Sequence, residues 1–256
     1  MKPMIFFDID GTLMDSASWS FPASVKPALL SLQKKGYKLG IATGRAKNSF
    51  LRTKAQDLIK WDLIIVANGM GIYDGNMNPL FEASFDHQSV RECVETASKL
   101  GFVVLIKSQP RFITGPNNPY VQEVHDYFNN VVPPVGKYID QEVEGMIIYA
   151  PHGYDYAPFK QIRGLHVMPC ALCYAEVSVE GISKATSIQR GLKMLGAKEY
   201  IAFGDSPNDL EMLKGSSLSV VMGGSCKEVC EAADFITKPV LEDGIEYACR
   251  QLKLID

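Results

Sequence analysis

Asp8 and Asp10 stand two residues apart, between the apolar run Met4-Ile5-Phe6-Phe7 and a glycine, Gly11. Side chains alternate along a strand, so the two carboxylates share a face if the strand extends that far. Burying either one as an anion is costly, and two held together repel. A hard cation between them resolves the conflict, as does a proton on one of them; solvated acids in an Asp-Gly turn are the simpler alternative. Gly11 can take backbone angles closed to other residues and wrap the chain closely around a ligand.

Three later segments favour chemistry over a simple turn. Leu39-Gly40-Ile41-Ala42 runs into Thr43, Gly44 and Arg45, a hydroxyl, a glycine and a cation. Lys184 falls in the first turn of a predicted helix with Ser183 as its N-cap, a place where the helix dipole mildly disfavours a cation. Tyr200-Ile201-Ala202-Phe203 is another apolar strand, and it leads into Asp205, Asn208 and Asp209. Asp8 with Asp10, Thr43, Asn68 and Asp205 thus follow the C-terminal ends of separate predicted strands. In an open parallel sheet those ends form the crevice where ligands bind. Acids, a lysine, a hydroxyl and turn amides suit a phosphate group and a divalent ion such as Mg²⁺, with Asp8 and Asp205 as side-chain ligands.

The elements that must position these groups are readable from periodicity. Strands are predicted at 3–9, 38–43 and 62–67, with Val25, Ala28, Leu29 and Leu32 marking a helical face between the first two. That order makes a right-handed βαβ crossover and a parallel sheet. Further strands are predicted near 199–203, 218–222 and 234–237, after a helix carrying Ile188, Leu192 and Leu195 on its inner face. Tyr73 to Met77 reads as a hairpin turn. The stretch from Val66 to Tyr200 is too long for one crossover and holds its own predicted helices (87–100, 119–129) and strands (102–106, 111–114, 143–149, 165–168, 172–179). The predicted fold class is α/β, a Rossmann-like parallel-sheet core of residues 1–84 plus 181–256 with an α+β cap inserted at 85–180.

Taken in order, the segments resemble the four motifs of the haloacid dehalogenase superfamily, and specifically its Cof-like sugar-phosphatase branch with a large α/β cap. The resemblance runs from Phe6 to Gly244. It implies that Asp8 is a nucleophile forming an aspartyl-phosphate, that Asp10 is a protonated acid/base, and that the Asp10 carbonyl joins Asp8 and Asp205 on Mg²⁺. It implies that Thr43 and Lys184 clamp the phosphate, that Gly44, Arg45, Asn68 and Asn208 bind phosphate or substrate, and that Asp209 holds metal-bound water or Lys184. Carbon–halogen cleavage needs no acid for an oxygen leaving group, so Asp10 favours a phosphatase over a dehalogenase. A phosphomutase and a catalytically silent binding module are the alternatives. One departure stands out: relatives usually carry Gly-Asn-Ala where this chain has Gly223, Gly224 and Ser225.

The bulk properties narrow the partners. With 256 residues, 46% hydrophobic, 21% charged and a net charge of -3, the chain has the makeup of a soluble globular protein and no footprint for nucleic acid. No apolar stretch is long enough to span a membrane, and no signal peptide precedes the first strand; a cytoplasmic protein is expected. A small phosphorylated metabolite is the expected partner, bound by a monomer or weak homodimer. Lys107, Arg111 and Tyr120, near predicted cap loops, are candidates for reading the leaving group. Cys170 and Cys173 have CxxC spacing in an apolar, strand-like stretch, and the four histidines show no ligand-like pairing, so all six cysteines read as buried reduced thiols.

Overall fold

The structure, a computed structural model, describes residues 2–170 and 172–256. It divides into two compact units, Met1–Glu82 with Ser183–Asp256, and Ala83–Ile182.

In the first unit, β1 (Met4–Phe7) is buried along its whole length. Its even residues face one apolar layer, where Met4 and Phe6 meet Ile188, Leu192 and Ala202; its odd residues Ile5 and Phe7 face another with Leu29, Ile41 and Phe203. A strand covered on both sides has no reason to alternate polar and apolar residues, which is why this one reads as a continuous hydrophobic run. Helix α1 (Val25–Lys34) buries Val25, Ala28, Leu29 and Leu32 and returns the chain to β2 (Leu39–Ala42), parallel to β1. After α2 (Lys47–Thr53), β3 (Leu63–Val66) adds in parallel. β4 (Gly71–Tyr73) and β5 (Pro79–Glu82) then turn back as an antiparallel hairpin.

The inserted unit opens with α3 (His87–Lys99), capped by the Asp86 carboxylate. It continues through β6 (Val103–Lys107), β7 (Phe112–Ile113), α4 (Pro119–Tyr127), β8 (Gly145–Tyr149), α5 (Ala157–Lys160), β9 (Leu165–Pro169) and β10 (Tyr174–Val179). Its strands form an antiparallel sheet in the order β7-β6-β8-β10-β9.

Back in the first unit, α6 (Lys184–Leu195) leads to β11 (Tyr200–Gly204), α7 (Leu210–Lys214), β12 (Leu218–Val221), α8 (Lys227–Cys230), β13 (Phe235–Ile236) and α9 (Gly244–Gln251). The eight-stranded sheet runs β13-β12-β11-β1-β2-β3-β4-β5, and its first six strands are parallel. β1 lies inside the sheet, paired with β11 on one side and β2 on the other, which places the ends of chain-distant strands side by side. Among the described residues no helix is long and apolar enough to cross a membrane.

Three local expectations need correction. β1 stops at Phe7, so strand alternation does not set Asp8 and Asp10 on one face; instead the Ile9 carbonyl accepts from the amides of Thr12, Leu13 and Met14 in a tight turn. Cys170 and Cys173 do not share a strand: Cys170 follows the end of β9 and Cys173 precedes β10, and the Cys170 amide donates to the Tyr174 carbonyl. The cysteines are also not uniformly buried. Cys93, Cys173 and Cys249 are, Cys170 and Cys230 are half-buried, and Cys226 is exposed.

Candidate active site

Asp8 leaves the end of β1 with its amide tied to the Phe203 carbonyl of β11, at 3.0 Å. The turn that follows brings Gly11 against Asp205. Gly11 has φ +80°, and a Cβ built there would stand 2.4 Å from Asp205 Oδ2. Only glycine fits that approach. Next along the chain, the Thr12 hydroxyl donates to Asp205 Oδ1 at 3.0 Å from a fully buried position. The motif reading passed over Thr12; a buried hydroxyl directly after the turn glycine is the signal it left unused.

Lys184 is the centre of the arrangement. Ser183 starts α6 with a reciprocal capping box: its hydroxyl accepts the Thr186 amide, and the Thr186 hydroxyl accepts the Ser183 amide. That fixes the first turn and sends the Lys184 side chain inward, where Nζ donates to Asp8 Oδ1 and Asp209 Oδ1, each at 2.7 Å. All three side chains are buried. Burial opposes the lysine charge, but Asp209 and Asp8 outweigh it and raise its pKa.

The three carboxylates then divide by what their oxygens do. Asp209 is fully committed: Oδ1 takes Lys184, while Oδ2 takes the amides of Asp205 at 3.0 Å and Ser206 at 3.1 Å. Asp8 and Asp205 each give Oδ1 to a donor and keep Oδ2 without a hydrogen-bond partner among the described residues. Carboxylate oxygens of Asp8, Asp205 and Asp209 lie within 4.8 Å of one another. Burial, then the negative charges nearby, push Asp8 up to about 7 against the opposing pull of Lys184. Burial and the charges of Asp8 and Asp209 raise Asp205 well above the usual carboxylate range. Oxygen donors that repel each other and retain free lone pairs are the donor set a hard divalent cation takes. The site fits such an ion.

Asp10 lies apart from this cluster. Arg45 forks onto it, Nη2 to Oδ1 at 2.6 Å and Nε to Oδ2 at 2.7 Å, and its guanidinium also covers the Trp19 ring at 4.4 Å. The Asp10 side chain, expected to be a protonated acid/base, is 25% exposed and faces a cation. Arg45, expected on the phosphate, is directed at Asp10 and Ser49.

Thr43 is buried just past β2, and its Oγ1 accepts the Arg45 amide at 3.1 Å across Gly44. Asn68 is buried in a left-handed conformation after β3, and Asn208 Nδ2 donates to its Oδ1 at 3.4 Å. The parallel sheet thus brings the ends of β1, β2, β3 and β11 to one region. Gly224 has φ +91°, and a Cβ there would meet nothing within 4 Å. Asparagine tolerates that conformation better than most residues, so the backbone still has room for the side chain usual in relatives.

In the inserted unit, Tyr120 packs against the apolar cluster of Val121, Val124 and Tyr149 rather than standing out as a polar contact. Lys107 lies 3.6 Å from Glu176 with both side chains largely buried, and Arg111 reaches the Val131 carbonyl at 3.4 Å.

The family model of haloacid dehalogenase-like hydrolases matches residues 5–248. The chain belongs to this family. The resemblance read from the motifs, to the Cof-like branch, therefore holds. A Bacillus subtilis relative, 5-amino-6-(5-phospho-D-ribitylamino)uracil phosphatase YcsE, is 26% identical over 252 residues, covering 96% of this chain and 94% of the relative. A Streptococcus pyogenes relative is 30% identical over 259 residues, 99% of this chain, and the chain spans 54% of that relative's length. Among solved structures, a phosphatase of the haloalkanoate (HAD) superfamily from Bacteroides thetaiotaomicron superposes with a TM-score of 0.89 at 26% identity, covering 100% of this chain and 96% of the other. A subclass IIB sugar phosphatase of that superfamily gives a TM-score of 0.85 at 26% identity, covering 99% and 100%.

Proposed function

We propose that this hydrolase is a Mg²⁺-dependent phosphatase acting on small phosphorylated metabolites, sugar phosphates among them, through a phosphorylated Asp8. The observation that carries the reading is the buried Lys184, which is paired with Asp8 Oδ1 and Asp209 Oδ1 and leaves Asp8 Oδ2 uncommitted. Asp205 through Oδ2 and Asp8 through the oxygen it does not turn to the phosphorus, with the Asp10 carbonyl, would hold the ion. Bound there, Mg²⁺ would offset the charge on the phosphate oxygens and on the two acids.

The chain's own groups then divide the work. Lys184 orients Asp8 by one oxygen so that the other faces the phosphorus, and its charge stabilises the oxygens as bonds change. The O–P bond to the leaving group breaks as the Asp8 Oδ2–P bond forms, and Asp10, having taken a proton from solvent on the oxygen that Arg45 gives up, passes it to the departing oxygen. Asp10 then takes a proton from the water that hydrolyses the acyl phosphate. Both Asp10 oxygens are held by Arg45, so a leaving oxygen can reach Asp10 only when Arg45 releases one of them. Thr43, Gly44, Asn68 and Asn208 lie on the same strand-end edge and supply the remaining polar contacts to the phosphate.

The test is hydrolysis of a panel of sugar, nucleotide and aryl phosphates with Mg²⁺ and with excess chelator. Turnover should require the ion and disappear in Asp8→Asn with the circular dichroism spectrum unchanged. Full turnover in chelator would refute the metal assignment, and near-native turnover of Asp8→Asn the covalent route.

A further inference from the structure

The inserted unit gathers three donors of different chemistry that the phosphatase reading does not use. Glu123 on α4, His152 after β8 and Cys173 before β10 place a carboxylate oxygen, an imidazole nitrogen and a sulfur within 4.8 Å of one another. Three elements force this meeting. β8 and β10 pair with Tyr149 opposite Tyr174, and the Ala150 amide donates to the Cys173 carbonyl at 3.1 Å. That register sets Cys173 beside the residues just beyond the end of β8, where His152 lies. Helix α4 covers the same place, with Val121 and Val124 sharing an apolar cluster with Tyr149 and Cys173. The Cys173 thiol points at this helix, 3.4 Å from the Tyr120 carbonyl. Glu123 leans outward, with Oε1 2.7 Å from His152 Nε2.

We propose that Glu123, His152 and Cys173 form a binding site for one Zn²⁺ ion, which clamps α4 to the β8–β10 ladder. A thiolate, an imidazole and a carboxylate match the ligands of zinc, with water as the fourth, whereas the all-oxygen acids of the first unit suit a harder ion. Bonds of about 2.0–2.3 Å in tetrahedral array put donors roughly 3.3–3.8 Å apart, so the present spacing needs only a small adjustment. The two side chains that must adjust, His152 and Glu123, are exposed, while the backbone of buried Cys173 is pinned by the ladder. On binding, the ion displaces the thiol proton and any proton shared between Nε2 and Oε1; these leave to solvent, and thiolate and carboxylate together balance the ion's two charges. The CxxC spacing is incidental, since Cys170 turns away, its thiol 3.6 Å from the Met168 carbonyl.

The test titrates Co²⁺, a spectroscopic stand-in for Zn²⁺, into the full reduced chain with excess Mg²⁺ present. A thiolate-to-cobalt charge-transfer band saturating at one equivalent, abolished by Zn²⁺, is expected, together with a higher Tm in Zn²⁺. Cys173→Ser should lose the band, and His152→Ala, an exposed change that leaves the fold intact, should weaken it. Absence of the band in the parent overturns the site, as does its persistence in Cys173→Ser. If Cys173→Ser fails to fold, an unchanged band and affinity in His152→Ala and Glu123→Gln overturn it equally.

Discussion

Gly11 meets two constraints at once, a positive φ and a carboxylate where its Cβ would be. Gly11→Ala should therefore cost roughly 1–3 kcal/mol in backbone strain and displace Asp205 as well. Thermal denaturation will show the first effect; the second should appear as a higher Mg²⁺ requirement for turnover, and unchanged Mg²⁺ dependence would contradict the close packing. Thr12 acts on the same carboxylate from the other side. Thr12→Val should raise the Mg²⁺ requirement and Thr12→Ser restore it, because the hydroxyl is what Asp205 uses. The acids and the lysine were legible along the chain because their spacing from apolar strands is a local property. The partners of Thr12 and Arg45 were not: each reaches a residue set by strand order, across 193 and 35 positions of sequence.

Helix α6 shows how an element tunes a side chain. Its capping box holds the first turn, and that turn holds Lys184 against Asp8 and Asp209. Ser183→Ala removes the hydroxyl that accepts the Thr186 amide and should cost about 1 kcal/mol, a fall in Tm of roughly 2–4 °C. If the cap also positions Lys184, kcat should fall more than this small loss of stability explains, while Ser183→Asp, another good N-cap, should keep the Tm. The long helices were predictable from their 3.6-residue periodicity, as with Val25, Ala28, Leu29 and Leu32 of α1. Short helices such as α5 and α8 have too few residues to show a period, and the structure alone reveals them.

Across the molecule, the buried acids tie stability to pH. Asp8 stands at about 7 against an ordinary 3.8, so the folded chain keeps a proton that the unfolded chain releases. Without metal, stability should therefore fall as pH rises from about 4 to about 7, and Asp205 acts in the same direction. Asp15, Asp74, Asp86, Asp234 and Asp256, lowered by their hydrogen bonds, cost stability only below that window. His125, lowered by burial, works against the trend below its ordinary 6.5. Comparing the parent with Asp8→Asn in chelator removes the His125 contribution: the variant's Tm should decline less with pH, and parallel curves would contradict the raised Asp8. Every proposed phosphatase residue belongs to the unit of 1–82 and 183–256. Replacing 83–182 by a short linker should thus leave weak Mg²⁺-dependent hydrolysis of an aryl phosphate and little preference among sugar phosphates, once circular dichroism shows the remainder folded. Sharp discrimination by the shortened chain would refute the expectation that Lys107, Arg111 and Tyr120 of the inserted unit read the leaving group.

Strand ends, helix starts and the order of acid, hydroxyl, lysine and acid along the chain depend on near neighbours. Apolar runs, caps and turn residues write them directly into the sequence, and they were enough to recognise the family. Contacts between distant segments obey no such local rule. The Arg45 fork on Asp10, the commitment of both Asp209 oxygens and the meeting of His152 with Cys173 depend on which strands lie side by side and in what register. A histidine with no ligand-like neighbour in sequence became one of three converging donors because β8 pairs with β10 and α4 packs over both. Register and packing belong to the assembled chain, and they decide what each side chain can reach.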